Sequence, residues 1–284
     1  MGSYPKQIST ILGITIQSFR KWTMDTRIYL LFLVVLLTIF SRTRELTHMV
    51  HTYMDCAING FSIFPIIYSS GIGIAQFIIL FCILLLYCNA PFFDNNQQFV
   101  VTRTGRRIWN MGQILYIQMA AFLFVLLLYF TAIVGCIPEV AFSITSWGKA
   151  LEVLSRNPVL EYLTINTTLI KQYTVIEAFF HQFFLLYLLT SFLGLLIYFC
   201  NLFFSEKIGL FIAGFICCID FIPSWLLDGR LLFRFSPVSM TEIYYLGQNG
   251  YPSLIYAYSY LGILNLSMFL LCYFLFLKAE VNII

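Results

Sequence analysis

Long apolar segments separated by short polar stretches limit the possible folds of this sequence more than any other feature. A helix that crosses a bilayer needs about 20 predominantly apolar residues. Sixty per cent of the 284 residues are hydrophobic and only 10% are charged, whereas soluble domains carry about 25% charged residues. The pattern predicts an all-α, polytopic membrane protein that forms one domain, residues 1–284. Its six expected transmembrane helices lie near residues 26–43, 69–89, 112–136, 175–200, 208–226 and 254–277.

Residues 7–23 have the spacing of an amphipathic helix that precedes the first transmembrane segment. Apolar side chains recur at helical intervals from Ile8 through Ile11 and Leu12 to Trp22, and polar side chains largely occupy the other side. Such a helix lies along the membrane surface with its Trp and Lys side chains at headgroup depth. The alternative is that these residues form the first turns of a longer spanning helix.

The most basic and most polar short stretch is residues 91–111, between the second and third apolar segments. Arg103, Arg106 and Arg107 fall within five residues of one another. Short loops rich in Lys and Arg stay on the cytoplasmic side of a membrane. With this loop inside, six spans place both termini in the cytoplasm, with nine Lys and Arg residues inside and seven outside.

Two polar interruptions are predicted as outer loops, residues 137–173 and residues 227–253. The second of them is too polar and too broken to span, but it has enough apolar residues to enter the interface as short broken helices. Residues 42–68 are also expected outside, because Pro65 and the Asn-Gly pair at 59–60 interrupt regular structure.

Small and polar residues inside the apolar segments are candidates for helix packing. Small residues let two helices approach closely, and Asn or Ser side chains join helices by hydrogen bonds. Asn265 and Ser267 of the sixth segment fit the second role. Cys56 and Cys136 would both lie on the outer side, where the sequence leaves their pairing open. The small residues expected at close contacts are Gly71, Gly73 and Ala75 with Gly209, Ala213 and Gly214.

The sequence contains no P-loop, no H-E-x-x-H and no G-x-S-x-G. The chain is therefore expected not to be an enzyme and to hold no cofactor or metal of its own. Glu177 and His181, one helical turn apart, and Asp220 are the ionisable residues expected at membrane depth. Facing lipid would cost each about 2.5–3.5 kcal/mol. They form a possible polar gate, with interfacial residues that reach the headgroups as the alternative.

The order of these segments resembles the membrane-spanning subunits of type-2 ABC exporters, which have the type V exporter fold. Asp94 to Gln113 looks like that family's cytoplasmic stretch, in which a short helix, a turn with basic residues and the third span follow one another. Here Thr104-Gly105-Arg106-Arg107 holds the turn, and Trp109 begins the return to the membrane. Phe235-Ser236-Pro237-Val238 resembles the segment before the final helix. Family members usually carry a Glu early in the inner loop, where this chain has Asp94.

The resemblance implies that the inner loop is a coupling helix seated in a separate ATPase subunit, which would bind ATP and Mg. A second membrane subunit, identical or homologous, would complete the pathway near the second and fifth spans. Membrane lipid is the other expected partner, and the small net charge of +3 does not point to nucleic acid. The coupling residues implied are Asp94, Gln97, Gln98, Arg103, Arg106 and Arg107.

The expected function is therefore that of a permease subunit of an ATP-driven exporter in the cytoplasmic membrane, moving a peptide, drug-like or lipid-like substrate. A secondary transporter or channel is the first alternative, although it predicts more intramembrane charge and an inverted repeat. A membrane enzyme or a non-transporting assembly subunit is the second. The sequence selects neither the cargo nor between a homodimer and a heterodimer.

Overall fold

The computed structural model describes residues 4–54, 57–69, 74–91, 97–148, 151, 167–204, 207–219 and 233–278. These residues are mostly helical, which confirms the predicted all-α class. Four helices are long and apolar enough to cross a membrane, at Thr26–Thr52, Arg106–Gly135, Val175–Phe203 and Leu254–Phe274. Three shorter apolar helices accompany them.

The helices follow one another with few extended residues between them. A two-residue parallel pair joins β1 (Ile58–Asn59) to β2 (Val140–Ala141). Short 3-10 turns lie at Lys21–Thr23 and Ser239–Thr241. The described α-helices are α1 (Tyr4–Arg20), α2 (Thr26–Met54), α3 (Gly60–Ser69), α4 (Ile74–Tyr87), α5 (Gln97–Thr104), α6 (Arg106–Gly135), α7 (Thr167–Gln172), α8 (Val175–Phe203), α9 (Ile208–Cys218) and α10 (Leu254–Lys278).

The first span is longer than predicted, because α2 continues through the charged residues after position 43. Leu46 and Val50 extend the buried stripe of the helix, whereas Arg42 and Glu45 form an ion pair of 3.2 Å on its outer side. Charges three residues apart share one face of a helix. Pro65 was predicted to interrupt regular structure in residues 42–68, but α2 continues to Met54 and Pro65 lies inside α3.

The predicted second span, 69–89, contains the short helix α4, and another short helix, α3, precedes it. Nearly all of α3 is buried, including Pro65 in its interior. A proline is tolerated there because the neighbouring helices enclose this turn and can compensate for the lost hydrogen bond. Residues 70–73, with Gly71 and Gly73, lie outside the described residues. The segment predicted on the outer side of the membrane therefore includes a buried helix, α3.

Other boundaries differ less. The inner loop 91–111 contains α5 and the first turns of α6, so it is largely helical. The predicted fifth span, 208–226, contains α9. Its residues from 220 onward lie outside the described residues. The third, fourth and sixth predicted spans coincide with α6, α8 and α10.

Helix α8 lies at the centre of the bundle and contacts α3, α4, α6, α9 and α10. Tyr198 donates to Asn110 Oδ1 (2.7 Å) at one end, and Tyr129 donates to the Phe179 carbonyl (3.0 Å) at the other. The same number of residues separates the two contacts on α6 and on α8. The two helices are therefore antiparallel and closely in register.

The last helix, α10, runs parallel to α8. His181 Nδ1 lies 3.0 Å from the Tyr258 hydroxyl, and the Cys272 thiol lies 3.9 Å from the Leu195 carbonyl. Only a small part of α10 is buried, whereas most of α8 is. One face of α10 packs on the bundle, and its remaining surface is apolar and exposed.

The two ends of the bundle differ in charge. We call the end with α1, α5 and the first turn of α6 the basic end, and the opposite end the far end. Among the described residues, nine Lys and Arg accompany one Asp at the basic end, whereas four cations balance four Glu at the far end. The basic end has Lys6, Arg20, Lys21, Asp25, Arg27, Arg103, Arg106, Arg107, Lys207 and Lys278. The far end has Arg42, Arg44, Glu45, Glu139, Lys171, Glu177, Arg234 and Glu242.

The turn between α8 and α9 depends on a glycine. A Cβ on Gly209 would lie 2.5 Å from Asn201 Oδ1 and 2.5 Å from the Ile197 carbonyl oxygen. The Gly209 N–H also donates to Asn201 Oδ1 (2.8 Å), while Asn201 Nδ2 donates to the Ala90 carbonyl (2.6 Å). Asn201 thus joins α8, the start of α9 and the end of α4.

We predict that Gly209→Ala lowers the stability of the folded protein by about 1–3 kcal/mol, because the added methyl overlaps backbone that cannot move aside. Gly214→Ala is the matched control on the same helix, since its Cβ would meet only Leu84 at 3.8 Å. That change should be neutral or stabilising by up to about 1 kcal/mol. Thermal unfolding of both variants in detergent measures the difference, and equal midpoints would contradict the packing described here.

Candidate functional site

The predicted coupling segment forms a helical hairpin at the basic end. Helix α5 ends at Gly105, whose φ of +83° lies in the left-handed region that favours glycine. The Gly105 N–H donates to the Val101 carbonyl (2.9 Å), and the Gly105 carbonyl accepts from Trp109 N–H (3.2 Å). One residue therefore closes α5 and opens α6.

A small hydrophobic cluster fixes this hairpin to α1. Val101 of α5, Trp109 of α6 and Ile14 of α1 are all buried and pack on one another. Leu202 near the end of α8 packs against the same cluster. A force applied to α5 would therefore be transmitted to α1, α6 and α8 through packed side chains.

The outer surface of the hairpin is basic and exposed. Arg103, Arg106 and Arg107 are all exposed. Phe99 of α5 is 67% exposed beside them. Gln97 and Gln98 begin α5, and Asp94 lies outside the described residues.

Helix α1 packs along α6. A Cβ added to Gly112 would lie only 2.7 Å from Ile14 Cγ2, so only glycine at position 112 lets α1 approach α6 this closely. Thr15 Oγ1 lies 3.2 Å from the Gly112 carbonyl, and the Trp22 indole N–H donates to the Tyr116 hydroxyl (2.7 Å). The contacts extend over successive turns of α6 and hold α1 against it.

A polar layer joins α6, α8 and α10 near the middle of each helix. One terminal atom of the Gln118 amide lies 2.8 Å from the Tyr187 hydroxyl and 2.8 Å from Ser191 Oγ. Ser191 Oγ also lies 2.7 Å from Asn265 Oδ1, and Asn265 Nδ2 donates to the carbonyls of Leu188 and Leu261 (2.9 Å each). The role predicted for Asn265 in joining helices is confirmed, whereas Ser267 donates only within α10, to Leu264 (2.8 Å).

The proton count in this layer fixes the orientation of Gln118. Asn265 uses its amide N–H groups on backbone carbonyls, so its oxygen faces Ser191 and accepts the single Ser191 proton. Ser191 must then accept from Gln118, which requires the Gln118 amide nitrogen to face Ser191 and Tyr187. Amide oxygen and nitrogen are assigned from such networks.

A second polar region lies at the far end, where the 3-10 turn of residues 239–241 packs on α8 and α10. Tyr68 and Thr241 hydroxyls are 2.6 Å apart, and Gln76 Nε2 donates to Glu242 Oε1 (2.9 Å). Burial, with the charge of Glu242 as a smaller cause, raises the pKa of Tyr244 far above its usual value. This segment was predicted as an outer loop with short broken helices, and the structure describes a 3-10 turn there with residues 236–241 buried.

Two residues of the predicted polar gate, Glu177 and His181, make separate hydrogen bonds. Glu177 caps α8 by accepting from the Thr174 N–H (2.9 Å), and Glu177 is exposed. His181 instead pairs with Tyr258 and packs its ring edge-on against Tyr173. Glu177 and His181 lie on one face of α8 but do not hydrogen-bond to each other, because Glu177 bonds to Thr174 and His181 to Tyr258. Asp220 lies outside the described residues.

The predicted small residues differ in their surroundings. Ala75 and Ala213 are buried, and Gly209 makes the close approach described above. Gly214 has no comparably close neighbour. The thiol of Cys136 is buried and donates to the Ala132 carbonyl (3.2 Å), while Cys56 lies outside the described residues.

Two fully buried glutamines were missed by the sequence reasoning. Gln113 on α6 and Gln182 on α8 are both 0% exposed. Among the described residues, neither the oxygen nor the nitrogen of either amide has a hydrogen-bond partner. Each such group costs about 1–3 kcal/mol and calls for an explanation, such as stored strain or an ordered water. An isolated Gln within an apolar run was the only available signal.

We predict that Gln182→Leu leaves the stability of this conformation unchanged or raises it by up to about 3 kcal/mol, because a buried polar group without partners is removed. Gln118→Leu is the matched control, since it removes contacts to Tyr187 and Ser191 and should destabilise by about 1 kcal/mol or more. Unfolding in detergent measures both. A Gln182→Leu variant less stable than Gln118→Leu would show that Gln182 has a partner.

The comparisons with known proteins add no family to this geometry. No protein-family model matches the chain, and no curated protein or solved structure matches it. The functional assignment therefore depends on the residues and contacts described above.

Proposed function

We propose that the chain is an integral membrane protein with its basic end in the cytoplasm. The four long apolar helices cross the bilayer, and two further crossings are made by α3 with α4 and by the span predicted at 208–226, which contains α9. The charge asymmetry supports this orientation, because cytoplasmic helix ends carry the excess of Lys and Arg. Both termini then lie in the cytoplasm.

Helix α1 fits a position along the cytoplasmic surface of the membrane. One face, with Ile14, packs on α6, while an adjacent stripe of Ile8, Leu12 and Ile16 is exposed and apolar. Lys6 and Arg20 lie on the remaining, polar side. A helix with these three faces can contact protein, acyl chains and water at once.

Within this arrangement the chain acts as the permease subunit of an ATP-driven exporter. The observation that carries the proposal is the packing of Val101, Trp109 and Ile14, with Leu202 against them, which connects the exposed basic hairpin to two other helices, α1 and α8. A separate ATPase subunit binds ATP and Mg and seats α5 in a groove. The residues expected to face it are Gln97, Gln98, Arg103, Arg106 and Arg107, with Asp94 before them.

The transport step is a switch between two packings of the bundle. ATP binding to the partner favours one packing by making different contacts with α5 in each state. Gln113 and Gln182 support the existence of a second packing, because an amide left without a partner in one state gains stability wherever the other state supplies one. The polar layer at Gln118 limits how far α6, α8 and α10 can shift relative to one another.

The pathway is completed by a second membrane subunit, identical or homologous. Ala75 on α4 and Ala213 on α9 lie on neighbouring helices that contact each other. The largely exposed face of α10 is a further surface for lipid or for the second subunit. Peptide, drug-like and lipid-like substrates all remain compatible with an apolar bundle.

A secondary transporter is the second candidate, and one contact favours it. Glu242 is a half-buried carboxylate held by Gln76, and carboxylates in such positions mark ion or proton pathways in transporters. Reconstituted protein would then take up substrate in response to a proton or sodium gradient without any ATPase. Dependence of transport on added ATPase and ATP would exclude this candidate.

We predict that the double change Arg106→Glu and Arg107→Glu prevents copurification with the ATPase subunit and abolishes transport, because both exposed charges reverse at the hairpin. Insertion and helix content should not change. Lys171→Glu with Arg234→Glu is the matched control, since it reverses two exposed charges at the far end. Equal ATPase binding by the two double variants would place the coupling surface elsewhere.

The orientation is tested by labelling single cysteines in intact cells. Thr102→Cys on α5 should be labelled by an impermeant maleimide only after the cells are opened, because the basic end faces the cytoplasm. Thr145→Cys, exposed at the far end, should be labelled from outside. The reverse pattern would invert the proposed topology.

A further inference from the structure

An apolar cavity opens between α2 and α6 beside the start of α2. Its volume is about 240 Å³. Ile28, Leu31, Leu86 and Phe124 are almost completely buried and form its floor. The rim consists of side chains 41–61% exposed, Leu123, Leu126 and Phe130. The cavity therefore opens on the surface that the proposed function places against lipid.

Water is a poor occupant for this cavity. A buried water needs two to four polar partners. Of the residues that line the cavity, only Trp22 carries a side-chain polar group, and its N–H already donates to Tyr116. Cavities of about 150 Å³ lined by Leu, Ile and Phe stay dry and bind apolar molecules such as benzene. This one is larger and has the same lining.

From this geometry we propose that the cavity binds an acyl chain of a phospholipid from the leaflet at the basic end. The chain enters beside Trp22 and lies between α2 and α6, with its end toward Phe130. From Leu123 to Phe130 the helix rises about 10 Å, which is a length suited to a chain segment and not to a compact ring. The inference rests on the proposed membrane placement and not on the proposed ATPase partner.

The headgroup of this lipid would lie in a cationic region. Arg27 begins α2 one residue before Ile28, and Arg20 and Lys21 precede Trp22. Arg27 is engaged by Asp25 (3.2 Å) and by Asn89, so the remaining positive charge comes from the other cations of the basic end. An anionic phospholipid is therefore favoured over a zwitterionic one.

Bound lipid would connect the interfacial helix to the bundle. Trp22 lies in the 3-10 turn between α1 and α2, and it lines the cavity while its indole N–H donates to Tyr116 of α6. An acyl chain in the cavity fills the space between these elements, which protein side chains leave open in this conformation. Close packing of that space stabilises the present position of α1.

The test uses full-length protein in nanodiscs that contain phosphatidylglycerol with brominated acyl chains, because bromine quenches nearby tryptophan fluorescence. The Trp22 contribution is the difference between the wild-type protein and Trp22→Phe. We expect the Trp22 fluorescence to be strongly quenched, and the extent of quenching to saturate at a low fraction of brominated lipid. Brominated phosphatidylcholine should require a larger fraction.

Variants that fill the cavity make the test specific. Leu127→Phe and, as a second variant at the exposed rim, Leu123→Phe should weaken Trp22 quenching by about twofold or more, because a phenyl ring occupies the space of the chain. Met119→Phe is the matched control, since Met119 is exposed on α6 and does not line the cavity. Equal quenching in all three variants would mean that only bulk lipid reaches Trp22 and would overturn the proposal.

Absence of quenching in the wild-type protein would also overturn it, either because a second copy or another protein covers the cavity or because the start of α2 lies in water. Iodide, a quencher confined to water, distinguishes this failure from a failure of the proposed function. If the start of α2 lies in water, iodide quenches Trp22 and brominated lipid does not. If neither iodide nor brominated lipid quenches Trp22, the proposed lipid site is contradicted and the proposed membrane placement is not.

Discussion

The antiparallel contact between α6 and α8 is the interaction on which the rest of the bundle depends. Within a bilayer, burial of apolar surface gives little preference for helix–helix over helix–lipid contact, so packing and hydrogen bonds between helices must supply specificity. Asn110 with Tyr198 and Tyr129 with the Phe179 carbonyl fix the register at both ends of this pair. Once α6 and α8 are in register, Gln118, Ser191 and Asn265 can place α10 across them.

The sequence predicts those elements whose pattern is local. Helices α1, α6, α8 and α10 can be predicted from apolar periodicity and length alone, because the residues within each helix are enough to indicate it. Helix α3 could not be predicted in this way. Its Pro65 and its polar neighbours resemble a loop, and only the enclosing helices make a helical, buried conformation stable. Residues 42–54 are a second example, because their charged side chains interrupt the apolar pattern although the helix continues, with Arg42 and Glu45 paired on its outer side.

The candidate site shows a similar division. Exposed arginines near a glycine are visible in the sequence, so the basic hairpin could be located, but its attachment through Val101 and Ile14 could not. Those residues are separated by almost ninety positions and look like ordinary apolar side chains. The contacts of Thr241 with Tyr68 and of Glu242 with Gln76 span still longer separations. Polar residues in a broken segment suggest solvent until the partner is known.

The buried amides of the bundle are of two kinds, those with hydrogen-bond partners and those without partners among the described residues. A network whose members all have partners resists separation, as the layer at Gln118 does, whereas Gln113 and Gln182 gain nothing from the present packing. The two glutamines lie on the two helices whose register defines the fold. A relative displacement of α6 and α8 would therefore change the surroundings of both amides together, while the layer near the middle of the helices limits how far that displacement can go. Such a combination of held and unsatisfied polar groups on one pair of helices suits a protein that changes between two packings better than one that keeps a single packing.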